Sequence, residues 1–174
     1  MRFASDSAFA CAILLGLGSA SSSTVLAQTT FDEPEWKESE APPPPAFDMG
    51  KLVTFDVSPN SALVYGVDPA SITISKRDGL VRYVMVASSS SGARNVMYEA
   101  IRCKTGEVKT YARYSLQGQW SVLDNPQWRS LYESMPSRHA LRFAQAGACD
   151  GATPALSVNA LVQRLKNPNL GITD

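Results

Sequence analysis

The order of its hydrophobic patterns most limits what this chain can fold into. Between Lys51 and Tyr114, apolar and polar residues alternate in short runs, as expected for strands that bury one face. In segments 137–147 and 153–168 the apolar residues recur every three or four positions instead, which is typical of amphipathic helices. Strands first and helices last predict an α+β domain, with an antiparallel sheet of about five or six strands and the C-terminal helices packed on one face.

Two turn signals set the expected strand pairing. Asp78-Gly79 predicts a two-residue turn that pairs Ile74 with Tyr83. Thr105-Gly106 predicts a second turn, flanked by two more strands. One face of this second hairpin is then both aromatic and basic, and we call it the basic–aromatic face. Its residues are Tyr98, Arg102, Lys109, Tyr111 and Arg113.

The predicted helices have recognisable ends. Asn125 followed by Pro126 predicts a short helical turn that carries Trp128, Leu131 and Tyr132 on one stripe. The next helix is expected to stop at Gly147, and the last one to begin with Thr153 as its cap. The apolar stripe of the last helix consists of Val158, Leu161, Val162 and Leu165.

The first residues have the features of a secretory leader. Arg2 precedes an apolar run, 8–17, that is too short for a bilayer, which requires about 20 apolar residues. Val25 and Ala27 occupy the two positions that a signal peptidase recognises. We therefore predict a signal peptide over 1–27, cleavage after Ala27, no membrane span in the mature chain and a periplasmic location.

Residues 28–46 are predicted to form an acidic, proline-rich arm, and residues 47–174 a single α+β domain. Between Phe31 and Asp68 eight acidic residues face two basic ones, whereas from Pro69 onward thirteen basic residues face seven acidic ones. These opposite charges favour an arm that lies over the basic surface of the sheet. Binding to nucleic acid is not expected, because it requires a strongly basic domain.

Two cysteines, Cys103 and Cys149, remain after the predicted cleavage. An even number of cysteines in an oxidising compartment predicts a disulfide, here one that ties a strand to a helix. A catalytic thiol would need an activating base, and the chain has a single histidine.

Motifs of catalytic and cofactor sites are missing from the sequence. The mature chain has no glycine-rich phosphate loop, no zinc-ligand spacing and no nucleophile elbow, so we predict neither a metal site nor a cofactor. His139 is expected at the margin of the core. Glu99, Glu107 and Asp124 are expected to pair with basic neighbours. The alternative is a carboxylate pair among these acids, in an enzyme that hydrolyses an envelope polymer.

The basic–aromatic face is the constellation with a predicted binding role. Arginines bind carboxylates and phosphates, and tyrosines supply rigid contact area. The face is therefore either covered by the arm or a recognition surface for an envelope protein or an anionic ligand. The predicted function is a non-catalytic binding or support module of the cell envelope. A periplasmic small-ligand carrier is a further alternative, and it would require an apolar pocket between sheet and helices.

Five segments together resemble the "CNP-one-like" family of uncharacterised secreted proteins from Gram-negative proteobacteria. They are "EWKESEAPPPPAF" (35–47), "YGVDPASITI" (65–74), the stretch from Asp78 to Tyr114, "WRSL" (128–131) and "RHALRFAQAGACDG" (138–151). The family-like domain then covers about 35–166. The resemblance implies an envelope protein and transfers no catalytic residue, because the family carries no established activity.

Overall fold

A computed structural model describes residues 35–168, so the predicted leader and the first part of the predicted arm lie outside the described residues. The strands are β1 Val53–Phe55, β2 Leu63–Val67, β3 Thr73–Ile74, β4 Leu80–Ser89, β5 Arg94–Arg102, β6 Glu107–Tyr114, β7 Trp120–Val122, β8 Arg129–Ser130, β9 Cys149–Asp150 and β10 Thr153–Pro154. The α-helices are α1 His139–Phe143 and α2 Val158–Lys166. No helix in this part of the chain is long and apolar enough to cross a membrane.

The strands β1 to β8 form one antiparallel sheet in the order β1-β2-β4-β5-β6-β7, with β3 paired to β4 and β8 to β6. The predicted α+β class is confirmed, and the sheet is larger than predicted. Its additional strands come from segment 120–130, so the helical turn predicted after Asn125 is wrong. Segment 120–130 is extended because it hydrogen-bonds the backbone groups along the edge of β6. Leu123 N, for example, donates to Tyr111 O at 2.8 Å.

The β3–β4 hairpin has a longer turn than predicted. Ile74 pairs with Val81 instead of Tyr83, and Ser75 N donates to Leu80 O at 2.9 Å across the turn. The cause is Asp78, whose buried carboxylate lies 2.7 Å from Arg82 Nη2. The register shifts by two residues, so each side chain keeps its predicted face.

Both faces of the sheet are covered, and alternate residues of β4 belong to two different cores, one on each face. On the inner face, alternate residues of β4 and β5 pack against the two helices; the largest members of this core are Tyr83, Met85, Ile101, Phe143 and Leu161. On the outer face, a smaller core contains Leu80, Val84, Val86, Tyr98 and Tyr111.

The C-terminal helix begins later than predicted. Ser157 caps it by accepting a hydrogen bond from Ala160 N at 3.1 Å. Thr153 and Pro154 belong to β10 instead, where they pair with β9. The predicted apolar stripe is correct, because Leu161, Val162 and Leu165 are buried in the core between the helices and the inner face of the sheet.

The predicted disulfide between Cys103 and Cys149 is confirmed. Cys103 follows the last residue of β5, and Cys149 follows the turn after α1. Their Cα atoms lie 5.7 Å apart. The bond therefore ties the end of β5 to the helical layer, as predicted from a cysteine after a strand and another after a helix.

Candidate binding groove

The basic–aromatic face is covered by residues 36–47, which we call the docked segment. Trp36, Ala41 and Phe47 pack on the outer core. Phe47 lies edge-on to Tyr114, with ring centroids 5.2 Å apart. The sheet face that the sequence marked as a recognition surface is therefore in contact with the chain's own N-terminal residues.

Glu38 is the main polar contact of the docked segment. Its carboxylate accepts hydrogen bonds from Tyr111 Oη at 2.6 Å, Lys109 Nζ at 2.8 Å and Trp128 Nε1 at 3.1 Å. Burial alone would raise the pKa of Glu38, but the bonds from Lys109 and Tyr111 outweigh it and hold this pKa below its ordinary value. Glu38 thus supplies the negative charge that Lys109 requires.

A second anchor joins the docked segment to the β3–β4 turn. Trp36 Nε1 donates to Asp78 O at 2.8 Å, and Ser39 N donates to Asp78 Oδ2 at 3.1 Å. The guanidinium of Arg102 lies 3.7 Å from the centre of the Trp36 ring, at cation–π distance. Burial would raise the pKa of Asp78, but hydrogen bonds from Arg82 and Ser39 hold it well below its ordinary value.

Arg113 is the one member of the predicted binding set that lies on the other face of the sheet. In the pairing of β5 with β6, Met97 lies opposite Arg113, Tyr98 opposite Ala112 and Glu99 opposite Thr110. Tyr111 is thus an extra residue of β6, a β-bulge, and beyond it the alternation of faces is reversed. Tyr98, Arg102, Lys109 and Tyr111 stay beneath the docked segment, whereas Arg113 faces the helical side.

On the helical side lies a groove of about 630 Å³, between the sheet and the segment that runs from β7 to α1. Its apolar lining includes Leu63, Tyr65, Met97, Leu123 and Met135. Its polar lining includes Asn95, Glu99, Thr110, Arg113, Ser137 and His139. The groove therefore offers both apolar contacts and hydrogen bonds to one ligand.

A buried carboxylate forms the floor of the groove. Glu99 is only 2% exposed, and it accepts hydrogen bonds from Thr110 Oγ1 at 3.0 Å and Tyr83 Oη at 3.1 Å. His139 Nε2 lies 2.9 Å from the same carboxylate. Burial would raise the pKa of Glu99, but the charge and hydrogen bond of His139 outweigh it and lower this pKa. The floor of the groove is thus an anionic carboxylate whose hydrogen-bond partners are side chains of the protein itself.

The other ring nitrogen of His139 extends this network to the wall of the groove. Nδ1 shares a hydrogen bond of 3.1 Å with Ser137 Oγ, which donates to Tyr65 Oη at 3.0 Å. The imidazole also stacks on the Tyr65 ring, with an interplanar angle of 6°. The network therefore fixes the start of α1 against β2.

The three acids that were candidates for catalysis do not converge. Glu99 lies in the groove, whereas Glu107 lies opposite Arg102 on the outer face and pairs with it at 3.5 Å. Asp124 is exposed in the loop after β7. No two of these three acids therefore face each other across one cleft.

Sequence reasoning identified Glu99 and His139 separately but missed that they meet. A usable signal was present, because Glu99 alternates with the apolar residues Met97 and Ile101 on one strand face. An acid on such a face must find a buried partner. The contributions of Tyr65 and Ser137 carried no comparable signal in the sequence.

The comparisons with known proteins agree on one family. A model of the CNP1-like family matches residues 31–166. The chain belongs to the CNP1-like family. Cryptic neisserial protein 1 of Neisseria gonorrhoeae (strain ATCC 700825 / FA 1090) is 28% identical over 149 residues, which cover 76% of this chain and 72% of that relative. No solved structure matches the chain.

In this member of the CNP1-like family, the groove combines a buried carboxylate with apolar and hydrogen-bonding surface. Glu99 is engaged by three side chains, which occupy most of the acceptor positions of its carboxylate. Among the described residues, no cluster of three or more histidines, cysteines or acids could hold a metal ion. What the groove presents to solvent is apolar surface and the hydrogen-bond donors at its rim.

Proposed function

We propose that this protein binds a small molecule in the bacterial periplasm, and that the groove is its binding site. The observation that carries this proposal is the groove itself. Its volume of about 630 Å³ lies within the range of about 300–1,000 Å³ that is typical of small-molecule sites. Its lining combines apolar side chains with polar groups that can orient a ligand, as in such sites.

The sequence and the disulfide support the periplasmic location. The predicted signal peptide directs the chain to export, and the bond between Cys103 and Cys149 is stable in an oxidising compartment. A role in the cell envelope agrees with both features.

The groove is a better candidate than the basic–aromatic face. A partner of that face would have to displace Trp36, Glu38 and Phe47, whose rings and carboxylate are already engaged. The groove needs no such displacement, because its mouth is open. Hydrolysis of an envelope polymer is the weaker alternative, since Glu99 and Glu107 lie on opposite faces of the sheet.

Two neighbouring positions of β2 allow a matched test. Leu63 lines the groove and is 38% exposed, whereas Val64 is 60% exposed and does not line it. We expect the neutral dye N-phenyl-1-naphthylamine to bind the wild type with a saturable rise in fluorescence. Leu63→Trp should weaken this binding by about tenfold, because the indole fills the groove.

Val64→Trp is the control, because it adds the same side chain to the same strand on the opposite face. It should leave the affinity for the dye within about twofold of the wild type. Far-UV circular dichroism checks that both variants are folded. Dye binding that is absent in the wild type, or unaffected by Leu63→Trp, would contradict a binding site in the groove.

A further inference from the structure

Arg113 lines the groove and is exposed to solvent there. The residues that the structure describes provide it with no ion pair and no hydrogen bond, and its side chain is exposed. We infer that the ligand is an organic acid with an apolar body, and that its carboxylate binds the Arg113 guanidinium. This inference rests on the proposed function, because it names the class of ligand that the groove takes.

The bulge in β6 is the first argument. Without it, alternation would place Arg113 on the outer face, together with Tyr111. Bulges are found next to functional sites, where they redirect a side chain. Here the interruption of the ladder puts the one guanidinium of the β6 strand into the groove, directly opposite Met97.

The charge balance of the groove is the second argument. Glu99 is engaged by hydrogen bonds with Tyr83, Thr110 and His139, and Arg129, the other arginine of the lining, is paired with Glu133. Arg113 is therefore the one arginine of the described lining without an ion pair. A guanidinium binds a carboxylate through two parallel hydrogen bonds, which makes it selective for a planar anion.

The surroundings of Arg113 complete the argument. Asn95 lies on the same face of β5, two residues before Met97, and its amide has no hydrogen-bond partner among the described residues. It can therefore donate a further hydrogen bond to an anion near Arg113. Leu63 and Met97 supply apolar surface beside this end of the groove, where the body of the ligand would lie.

The test is displacement of the neutral dye by decanoate and by decanol, which share one alkyl chain and differ in charge. In the wild type, decanoate should displace the dye at a concentration about tenfold lower than decanol. Arg113→Gln should remove this difference by weakening decanoate, and should change the affinity for decanol by less than about twofold.

Arg77→Gln is the control, because it removes a positive charge from the exposed β3–β4 turn, away from the groove. It should leave the preference for decanoate intact. Equal displacement by the two compounds in the wild type would overturn the inference, as would an equal loss of both in Arg113→Gln. Either result with dye binding that remains sensitive to Leu63→Trp would leave the proposed function standing.

Discussion

At the scale of single residues, Glu38 shows what charge patterning can predict and what it cannot. The acidic stretch before Pro69 and the basic remainder predicted that the arm would lie over the basic surface of the sheet. They did not identify Glu38, because its neighbours Lys109, Tyr111 and Trp128 come from distant parts of the chain. Which acid is used depends on the path of the docked segment over the sheet, and no local pattern encodes that path.

We expect Glu38→Ala to lower the free energy of unfolding by about 2–3 kcal/mol, because it leaves Lys109 and two further donors without their acceptor. Glu40→Ala removes the same side chain from an exposed position, and it should cost less than about 0.5 kcal/mol. Urea unfolding of both variants at neutral pH measures the difference. Equal costs would mean that the bonds of Glu38 do not hold the docked segment.

At the scale of elements, strands and helices followed from the sequence wherever the periodicity was regular. The second hairpin was predicted correctly up to Tyr111, and so were the disulfide and the stripe of α2. The errors have a common cause, which is that a tertiary contact overrode a local signal. The Asp78 carboxylate is buried in an ion pair with Arg82, and the segment after Asn125 pairs with the edge of β6.

The bulge had the largest effect on the candidate site. Alternation predicted Arg113 beside Tyr111, and a single additional residue moved it to the groove. The sequence of β6 gives no signal of this bulge, because the strand contains neither glycine nor proline. The groove was therefore beyond sequence reasoning, although three of its residues, Glu99, Arg113 and His139, were already under consideration.

The junction of the two helices gives a prediction at the same scale. Gly147 has a φ of 141°, and a Cβ atom there would lie 2.8 Å from Arg164 Cβ. Gly92 also has a positive φ, 86°, but a Cβ atom there would meet nothing within 4 Å. Both alanine variants should be strained by about 1 kcal/mol, and Gly147→Ala should lose at least about 1 kcal/mol more. Thermal unfolding compares them, and equal losses would show that α2 adjusts without cost.

At the scale of the whole molecule, the sheet is covered by the two ends of the described chain. The docked segment covers the outer face, and the helices cover the inner face. Each side contains carboxylates with lowered pKa values: buried Asp78 and half-buried Glu38 on the outer side, and buried Glu99 on the inner side. The attachment of both layers therefore depends on the ionised state of these groups.

We expect the protein to lose stability in acid. The pKa of each carboxylate is lower in the fold than its ordinary value, 3.8 for aspartate and 4.5 for glutamate. Their contribution is thus complete above those values and is lost as the pH falls through the lower values of the folded state. Urea unfolding between pH 7 and pH 2.5 measures this loss.

Asp78→Asn provides the control for the acid prediction. This variant should be less stable than the wild type at neutral pH, and its stability should fall less steeply below about pH 4. An acid slope as steep as that of the wild type would assign the pH dependence to other groups.

The docked segment has a consequence for the order in which the molecule assembles. The three bonds of Glu38 join residues that are 71, 73 and 90 positions apart. The first part of the domain to leave the ribosome is therefore among the last to find its partners, since Trp128 must be translated first. Contacts of such long range fold slowly. The docked segment is therefore expected to close over the sheet late in folding, after residues up to Trp128 have been synthesised.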